Sequence, residues 1–242
     1  MNGVDSFSNQ EVNFTNTQFS YVVKEGQLPL TEFETANIAT VASSNESQLA
    51  TFMRRAADVL ISLAAISVGF SFFLLVALAI KFNSRGTVLY SQSRIGLNGA
   101  PFNVLKFRTM RSNAETNGPQ WASSTDPRVT RVGAFLRKTR IDEFPQFINV
   151  LLGSMTLIGP RPERQYFIER IESTVPEFSL RLLIKPGITG WAQINYPYTD
   201  TIEDAKQKLA YDLYYIKHRS FAMDIKILLK TVLVVLLGTG AR

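Results

Sequence analysis

The run Ala56-Ala57-Asp58-Val59-Leu60-Ile61-Ser62-Leu63-Ala64-Ala65-Ile66-Ser67-Val68-Gly69-Phe70-Ser71-Phe72-Phe73-Leu74-Leu75-Val76-Ala77-Leu78-Ala79-Ile80 decides the class of the protein. It carries a single charge, Asp58. As a helix it reaches about 37 Å at 1.5 Å per residue, enough for a hydrocarbon core of about 30 Å. Helices of soluble cores rarely run so long with so little polarity, so residues 53–85 read as a membrane-inserted segment. Arg54 and Arg55 precede the run, and Lys81 and Arg85 follow it. With bases at both ends, the positive-inside rule selects no orientation. A straight span puts the flanks on opposite sides of a bilayer, whereas a helix that breaks in mid-membrane returns both to one face. Gly69 and Ser71 lie where such a break would fall, without a Pro. Hydropathy leaves both topologies open.

Upstream and downstream of this run the charge differs in sign. Residues 1–50 hold one base against six acids, a net charge of −5; residues 51–242 hold 25 bases against 14 acids, +11. The overall +6 over 242 residues is the average of these two parts. The first fifty residues are rich in Asn, Ser, Thr and Gln without a sustained period, and such composition buries too little to offset the entropy of ordering. Residues 1–52 are therefore expected to be a flexible acidic tail, and they lack the basic and apolar regions of a signal peptide. There is no Cys, and His218 is the single His. This excludes a disulfide framework, a thiol nucleophile, and Cys- or His-rich metal sites. Chemistry here must run on carboxylates, bases, hydroxyls or a bound cation.

After the apolar run the pattern turns to β. Residues 87–92 and 102–107 are strand candidates around Asn98-Gly99, a dipeptide that tolerates positive φ at both hairpin positions. Residues 112–127 read as loop. Helical patterns are expected at 129–139, 142–152, 161–173 and 202–217, with Gly153 ending the second. Residues 221–237 are apolar but carry Asp224, Lys226 and Lys230, so a helix on the membrane surface or packed on the domain is expected rather than a second span. The fold class is α+β, mainly helical, with a small β-hairpin and amphipathic interfacial helices. Residues 86–242 form the domain that carries the chemistry.

Two carboxylates are adjacent in Arg140-Ile141-Asp142-Glu143-Phe144-Pro145. One reading is structural: an Asp before an apolar run is a usual N-cap, with Glu and Pro favoured in the first turn. The other is chemical. Arg137, Lys138 and Arg140 come just before, and Arg161 and Arg164 follow. Bases around a helix N-terminus bind phosphate, and an Asp there can attack phosphorus while a divalent cation offsets the repulsion. In Gly159-Pro160-Arg161-Pro162-Glu163 two prolines fix the backbone and present one Arg, which suits oriented phosphate recognition. Lys106, Arg108 and Arg111 follow the second strand candidate, either as a solvated basic face or as a patch for anionic lipid. The chain has no P-loop, no dinucleotide fingerprint and no Asp-x-Asp. It shows no nucleic-acid recognition module, so the +11 region is not expected to bind nucleic acid.

Five runs in order resemble one family: Lys106-Phe107-Arg108-Thr109-Met110, Thr139-Arg140-Ile141-Asp142-Glu143-Phe144-Pro145-Gln146, Gly159-Pro160-Arg161-Pro162-Glu163, Lys185-Pro186-Gly187-Ile188-Thr189-Gly190-Trp191-Ala192-Gln193-Ile194-Asn195, and Tyr211-Asp212-Leu213-Tyr214-Tyr215. From about residue 53 onward the chain is similar to the bacterial sugar transferases, the monotopic polyprenyl-phosphate phosphoglycosyl transferases, and within them to the exopolysaccharide branch. The resemblance implies transfer of a sugar 1-phosphate, with a hexose expected, from a UDP-sugar to undecaprenyl phosphate with release of UMP, as the initiating step of exopolysaccharide or glycan assembly. It implies Asp142 as nucleophile and Mg²⁺ ligand, with Glu143 as its partner. It implies Arg137, Arg161 and Arg164 at phosphate, Lys106 and Arg108 with a phosphate or structural role, and Pro160, Pro162, Pro186, Gly187 and Gly190 as shapers of the site loop.

It further implies a bacterial inner membrane location with the catalytic domain on the cytoplasmic face. Homo-oligomers and downstream glycosyltransferases are possible partners. Many relatives break the membrane helix with Ser-Pro, where this chain has Phe70-Ser71. Larger members carry further N-terminal helices, so this chain reads as a minimal catalytic unit whose helix returns both ends to the cytoplasm. The alternative is a non-catalytic membrane adaptor of a polysaccharide machine.

Overall fold

A computed structural model describes residues 47–111, 126–196 and 201–237, together with 26–28, 30, 37, 38, 40, 42 and 114. Most of the acidic segment and most of the expected loop at 112–127 lie outside the described residues.

The apolar run forms helix α1, Gln48–Asn83. Its 36 residues extend about 54 Å at the α-helical rise. Ser47 caps it, the hydroxyl accepting from Ala50 N–H at 3.1 Å. The helix continues through Gly69 and Ser71. Gly69 has a packing reason: a Cβ there would meet the Phe73 ring at 2.5 Å. That ring tilts against Phe107 and Phe144, with centroids 5.8 and 5.3 Å apart. Gly69 therefore makes room for an aromatic contact instead of hinging the helix.

Both ends of α1 are bonded to the same domain. Near the start, Arg55 donates to the carbonyls of Val150 and Leu151 at 2.6 and 2.8 Å. Those carbonyls belong to the last turn of helix α3, Gln146–Leu152, where a cation also meets the helix dipole favourably. One turn on, Asp58 accepts from Thr156 Oγ1 at 2.8 Å and Leu157 N–H at 2.9 Å. Near the other end, Val76 and Ile80 pack with Phe107 and Leu136. Arg108 then donates to the Ser84 carbonyl at 2.8 Å. Between these anchor points Leu60, Val68, Phe70 and Leu75 are exposed.

Strands β1 (Leu89–Ile95) and β2 (Pro101–Phe107) form an antiparallel hairpin, with Leu89 opposite Phe107 and Ile95 opposite Pro101. Its turn holds Asn98 at φ 54° and Gly99 at φ 77°, the conformation expected of that dipeptide. Asn149 on α3 secures the outer edge of β2, accepting from Leu105 N–H at 2.9 Å and donating to the Asn103 carbonyl at 2.7 Å. Helix α2 (Arg131–Lys138) precedes α3, and Gly153 at φ 84° ends α3 as expected.

A second, parallel pair joins β3 (Thr156–Ile158) to β4 (Gly187–Thr189). The 142–152 expectation needs correction: residues 141–143 form a separate 3₁₀ turn, and the α-helix begins only at Gln146. The short strands, the 3₁₀ segment Pro176–Leu183 and helix α5 (Trp191–Asn195) carry too little periodicity to be read beforehand.

The main core surrounds helix α6, Ile202–His218, whose Leu209, Leu213 and Ile216 are fully buried. Helix α4 (Gln165–Glu172) contributes Ile168 and Ile171, and helix α7 (Phe221–Leu236) contributes Ile227. The rest of α7 leaves Phe221, Ile225, Leu229, Val232 and Leu233 exposed, while Lys226 and Lys230 reach over the Trp191 ring. Asp224 accepts from Arg54 of α1 and from Tyr215, both at 2.7 Å. The described residues of the acidic segment also touch this core. Leu28 and Ile38 are buried, Leu28 N–H donates to the Ala210 carbonyl at 3.0 Å, and the Gly26 carbonyl accepts from Trp191 Nε1 at 2.9 Å.

Candidate active site

The Asp142-Glu143 pair sits on the 3₁₀ turn between α2 and α3. Arg140, left-handed at φ 55°, turns the chain out of α2. Ile141 and Phe144 flank the carboxylates and pack on the apolar cluster formed by α1, β2 and α2. The membrane-type helix thus supports the backbone that carries the acids. Asp142 caps no helix, since the residue before α3 is Pro145. The capping interpretation therefore fails.

The two carboxylates have different surroundings. Glu143 accepts from Lys106 Nζ at 2.9 Å, and it is clasped by Arg161 through both terminal nitrogens. Burial would raise its carboxyl, but Arg161 and Lys106 hold it well below the usual range. Asp142 is 7 % exposed, and among the described residues no hydrogen bond reaches its side chain. Burial pushes its carboxyl up to about 6; Lys106 opposes the shift, and the adjacent Glu143 adds to it. A buried carboxylate without donors is poorly stabilised, which favours bonding to phosphorus once ionised. Burial also lowers the Lys106 ammonium, against the pull of Glu143, whereas Glu143 raises the Arg161 guanidinium.

The other expected residues divide. Arg137 stands in the last turn of α2, donating Nε to Thr109 Oγ1 at 2.9 Å, with its charge felt at Asp142. Arg108 holds Ser84 at the end of α1, a structural use. Arg164 is the residue preceding α4, near Arg94. Pro160, Pro186, Gly187 and Gly190 build the seam between β3 and β4, whereas the Pro162 carbonyl accepts from Arg94 of β1 at 3.1 Å. Gly187 N–H donates to the Pro160 carbonyl at 3.0 Å, and Thr156 N–H to the Pro186 carbonyl at 2.9 Å. A Cβ on Gly187 would fall 2.1 Å from Gly159 N, and one on Gly190 2.2 Å from Gly159 O. Only glycine permits these backbones to approach so closely.

Three contributors were not singled out from sequence. Arg94 pairs with Glu163 at 3.2 Å, Asn149 joins α3 to β2, and Arg55 ties α1 to α3. Lone polar residues in ordinary strands or helices give no motif. Asp58 did give a signal, as the single charge of the apolar run.

The donor set for a divalent cation is limited. No group of three or more His, Asp or Glu converges among the described residues. Glu143 is committed to Lys106 and Arg161, leaving Asp142 as the carboxylate open to a cation. This fits Mg²⁺ bound through one carboxylate together with substrate phosphates and water.

The chain is 42 % identical over 196 residues to the UDP-N-acetylgalactosamine-undecaprenyl-phosphate N-acetylgalactosaminephosphotransferase of Aeromonas hydrophila, covering 81 % of this chain and 46 % of that protein. It is 42 % identical over 182 residues to the UDP-glucose:undecaprenyl-phosphate glucose-1-phosphate transferase of Escherichia coli (strain K12), covering 74 % of this chain and 39 % of that one. It is 42 % identical over 187 residues to the exopolysaccharide production protein PSS of Rhizobium leguminosarum bv. phaseoli, covering 74 % of this chain and 93 % of PSS. The aligned region thus spans less than half of the first two relatives and nearly all of the third. The family profile described as bacterial sugar transferase matches residues 49–238. The chain belongs to the bacterial sugar transferase family.

Proposed function

We propose that the protein transfers a hexose 1-phosphate from a UDP-sugar to undecaprenyl phosphate, releasing UMP. The observation that carries this reading is the buried Asp142, without a hydrogen-bond donor among the described residues, beside the Lys106–Glu143–Arg161 cluster. An Asp142 carboxylate oxygen attacks the β-phosphorus of the donor. The bond from that phosphorus to the bridging oxygen breaks, and UMP leaves with the electron pair. A phosphate oxygen of the lipid then attacks the same phosphorus and displaces Asp142 as a carboxylate, giving the lipid diphosphate sugar. Lys106, Arg137 and Arg161 bind and orient the diphosphate, and Glu143 holds two of these cations in place. Asp142 with the diphosphate oxygens would hold Mg²⁺, which neutralises charge between the carboxylate and the phosphates.

The relatives' names include both glucose and N-acetylgalactosamine donors, so the sugar is to be settled by assay. The attachment of both ends of α1 to one domain supports a helix whose two flanks lie on the same side of the bilayer, with the domain on the cytoplasmic face of the inner membrane. The same chemistry suits the first step of exopolysaccharide assembly, with downstream glycosyltransferases as partners. A UMP-release assay with UDP-glucose, UDP-galactose and UDP-N-acetylgalactosamine tests this reading. Continued release is expected only with undecaprenyl phosphate and Mg²⁺; before lipid is added, at most one equivalent of UMP is released as radiolabelled sugar is recovered on protein. Retained turnover in Asp142→Asn would overturn the nucleophile assignment.

A further inference from the structure

The motif Tyr211-Asp212-Leu213-Tyr214-Tyr215 takes no part in the chemistry above, yet Asp212 is only 2 % exposed in the middle of α6. Its Oδ2 lies 2.7 Å from Arg181 Nη2, and Arg181 is itself buried in the 3₁₀ segment before β4. The same Nη2 donates to the backbone carbonyl of Arg161 at 2.9 Å.

That carbonyl is one of four in succession held from outside the turn. Pro160 O accepts from Gly187 N–H at 3.0 Å, Pro162 O from Arg94 Nη1 at 3.1 Å, and Glu163 O from Ile95 N–H at 2.9 Å. Pro160 and Pro162 have no N–H with which to build local structure, so the turn depends on these external donors. We infer that Asp212 and Arg181 are positioning residues for Arg161: Asp212 fixes the Arg181 guanidinium, which fixes the Arg161 carbonyl and so aims the Arg161 side chain at Glu143.

A purely stabilising role explains the pair poorly. Replacing a buried ion pair by apolar residues of similar size is often neutral for stability. An apolar pair supplies no donor to a carbonyl, so orientation is what the charges add. The Phe178 ring stacks 4.8 Å from the Arg181 guanidinium and narrows its freedom further.

The inference rests on the proposed transferase reading for its kinetic arm. Its structural arm stands alone. The test uses the full chain in lipid nanodiscs with Arg181→Met and Asp212→Leu combined, which leaves no buried unpaired charge. The thermal midpoint is expected to stay within a few degrees of the parent, while amide exchange at Ile95, Gly159 and Gly187, whose N–H groups secure the turn, speeds up at least about tenfold and α6 keeps its protection. Unchanged exchange at those amides would overturn the inference whether or not the protein transfers sugar phosphate. In the kinetic arm, kcat falls at least about tenfold, but the same pair of changes costs less than about twofold in an Arg161→Ala background. Additive losses would show that the pair acts elsewhere. If the combined variant does not fold, Asp212→Asn keeps the shape of the site and is expected to shift both readouts in the same direction. A parent protein inactive with every donor would sink the transferase reading and leave the exchange result to decide the clamp.

Discussion

Asp58 and Asp142 are both 7 % exposed, and their surroundings are opposite. Asp58, in the apolar helix, accepts from a hydroxyl and a backbone N–H of β3. Asp142 has charged neighbours but, among the described residues, no hydrogen-bond donor of its own. Burying a carboxylate is expensive, and donors offset that expense. Where they are supplied, the carboxylate is a structural bolt, here tying a membrane-type helix to the strand that leads into the Arg161 turn. Where they are withheld, it stays poised for a bond to something else. Position in the sequence does not separate these cases, because both residues are acids next to apolar runs.

The largest expected effect lies on the Asp142 side. Asp142→Asn should lower sugar-phosphate transfer by at least about 10³-fold, as loss of a nucleophile does. Its thermal midpoint should be unchanged or higher, because a desolvated charge is removed. Calorimetry or a thermal shift assay showing clear destabilisation would mean that Asp142 has structural donors after all. Asp58→Asn should behave in the opposite way. It is expected to lose about 2–3 kcal/mol of stability by weakening charge-assisted hydrogen bonds. Its kcat should stay within about threefold of the parent once the folded fraction is counted, and a large selective loss of kcat would erase the distinction.

Smaller effects follow in pH and packing. The Asp142 carboxyl is raised from 3.8 to about 6 on folding, so the folded state binds this proton more tightly than the unfolded chain. Stability from this group is therefore greatest below pH 4 and falls as pH rises through 6. Nucleophilic attack needs the ionised form, so kcat/KM should climb across the same upper limb, near pH 6. A flat profile between pH 5 and 7 would place the reactive carboxylate in a different environment. The smallest effect is expected at Gly69→Ala. Helix propensity favours Ala by about 1 kcal/mol, but overpacking against Phe73 costs about 1–3 kcal/mol. Net destabilisation by chemical denaturation would mark Gly69 as a packing site, and stabilisation would restore it as a weak point in the helix.

The apolar run, the Asn98-Gly99 turn, the Gly153 stop and the helices at 131–138, 202–218 and 221–236 were legible because each rests on a local property: hydropathy, φ preference or period. The short β3–β4 pair was not, because three residues per strand carry no measurable alternation. The candidate site was legible as a list of residues. Its division into a clamped Glu143, an undonated Asp142 and an Arg108 turned to Ser84 was not.

The sequence by itself determined that this protein carries a helix long and apolar enough to enter a bilayer, a basic domain, and adjacent carboxylates among bases in a chain without Cys. Those follow from composition and from residues that act where they stand. Only the tertiary structure decided that both ends of that helix grip one domain. It alone also set apart Asp58 and Asp142, and placed Asp212 behind Arg161. Each depends on partners brought together from distant segments, 99 residues apart for Asp58 and Leu157 and 170 for Arg54 and Asp224. Whether a buried charge is satisfied is fixed by such distant partners, and no local pattern encodes them.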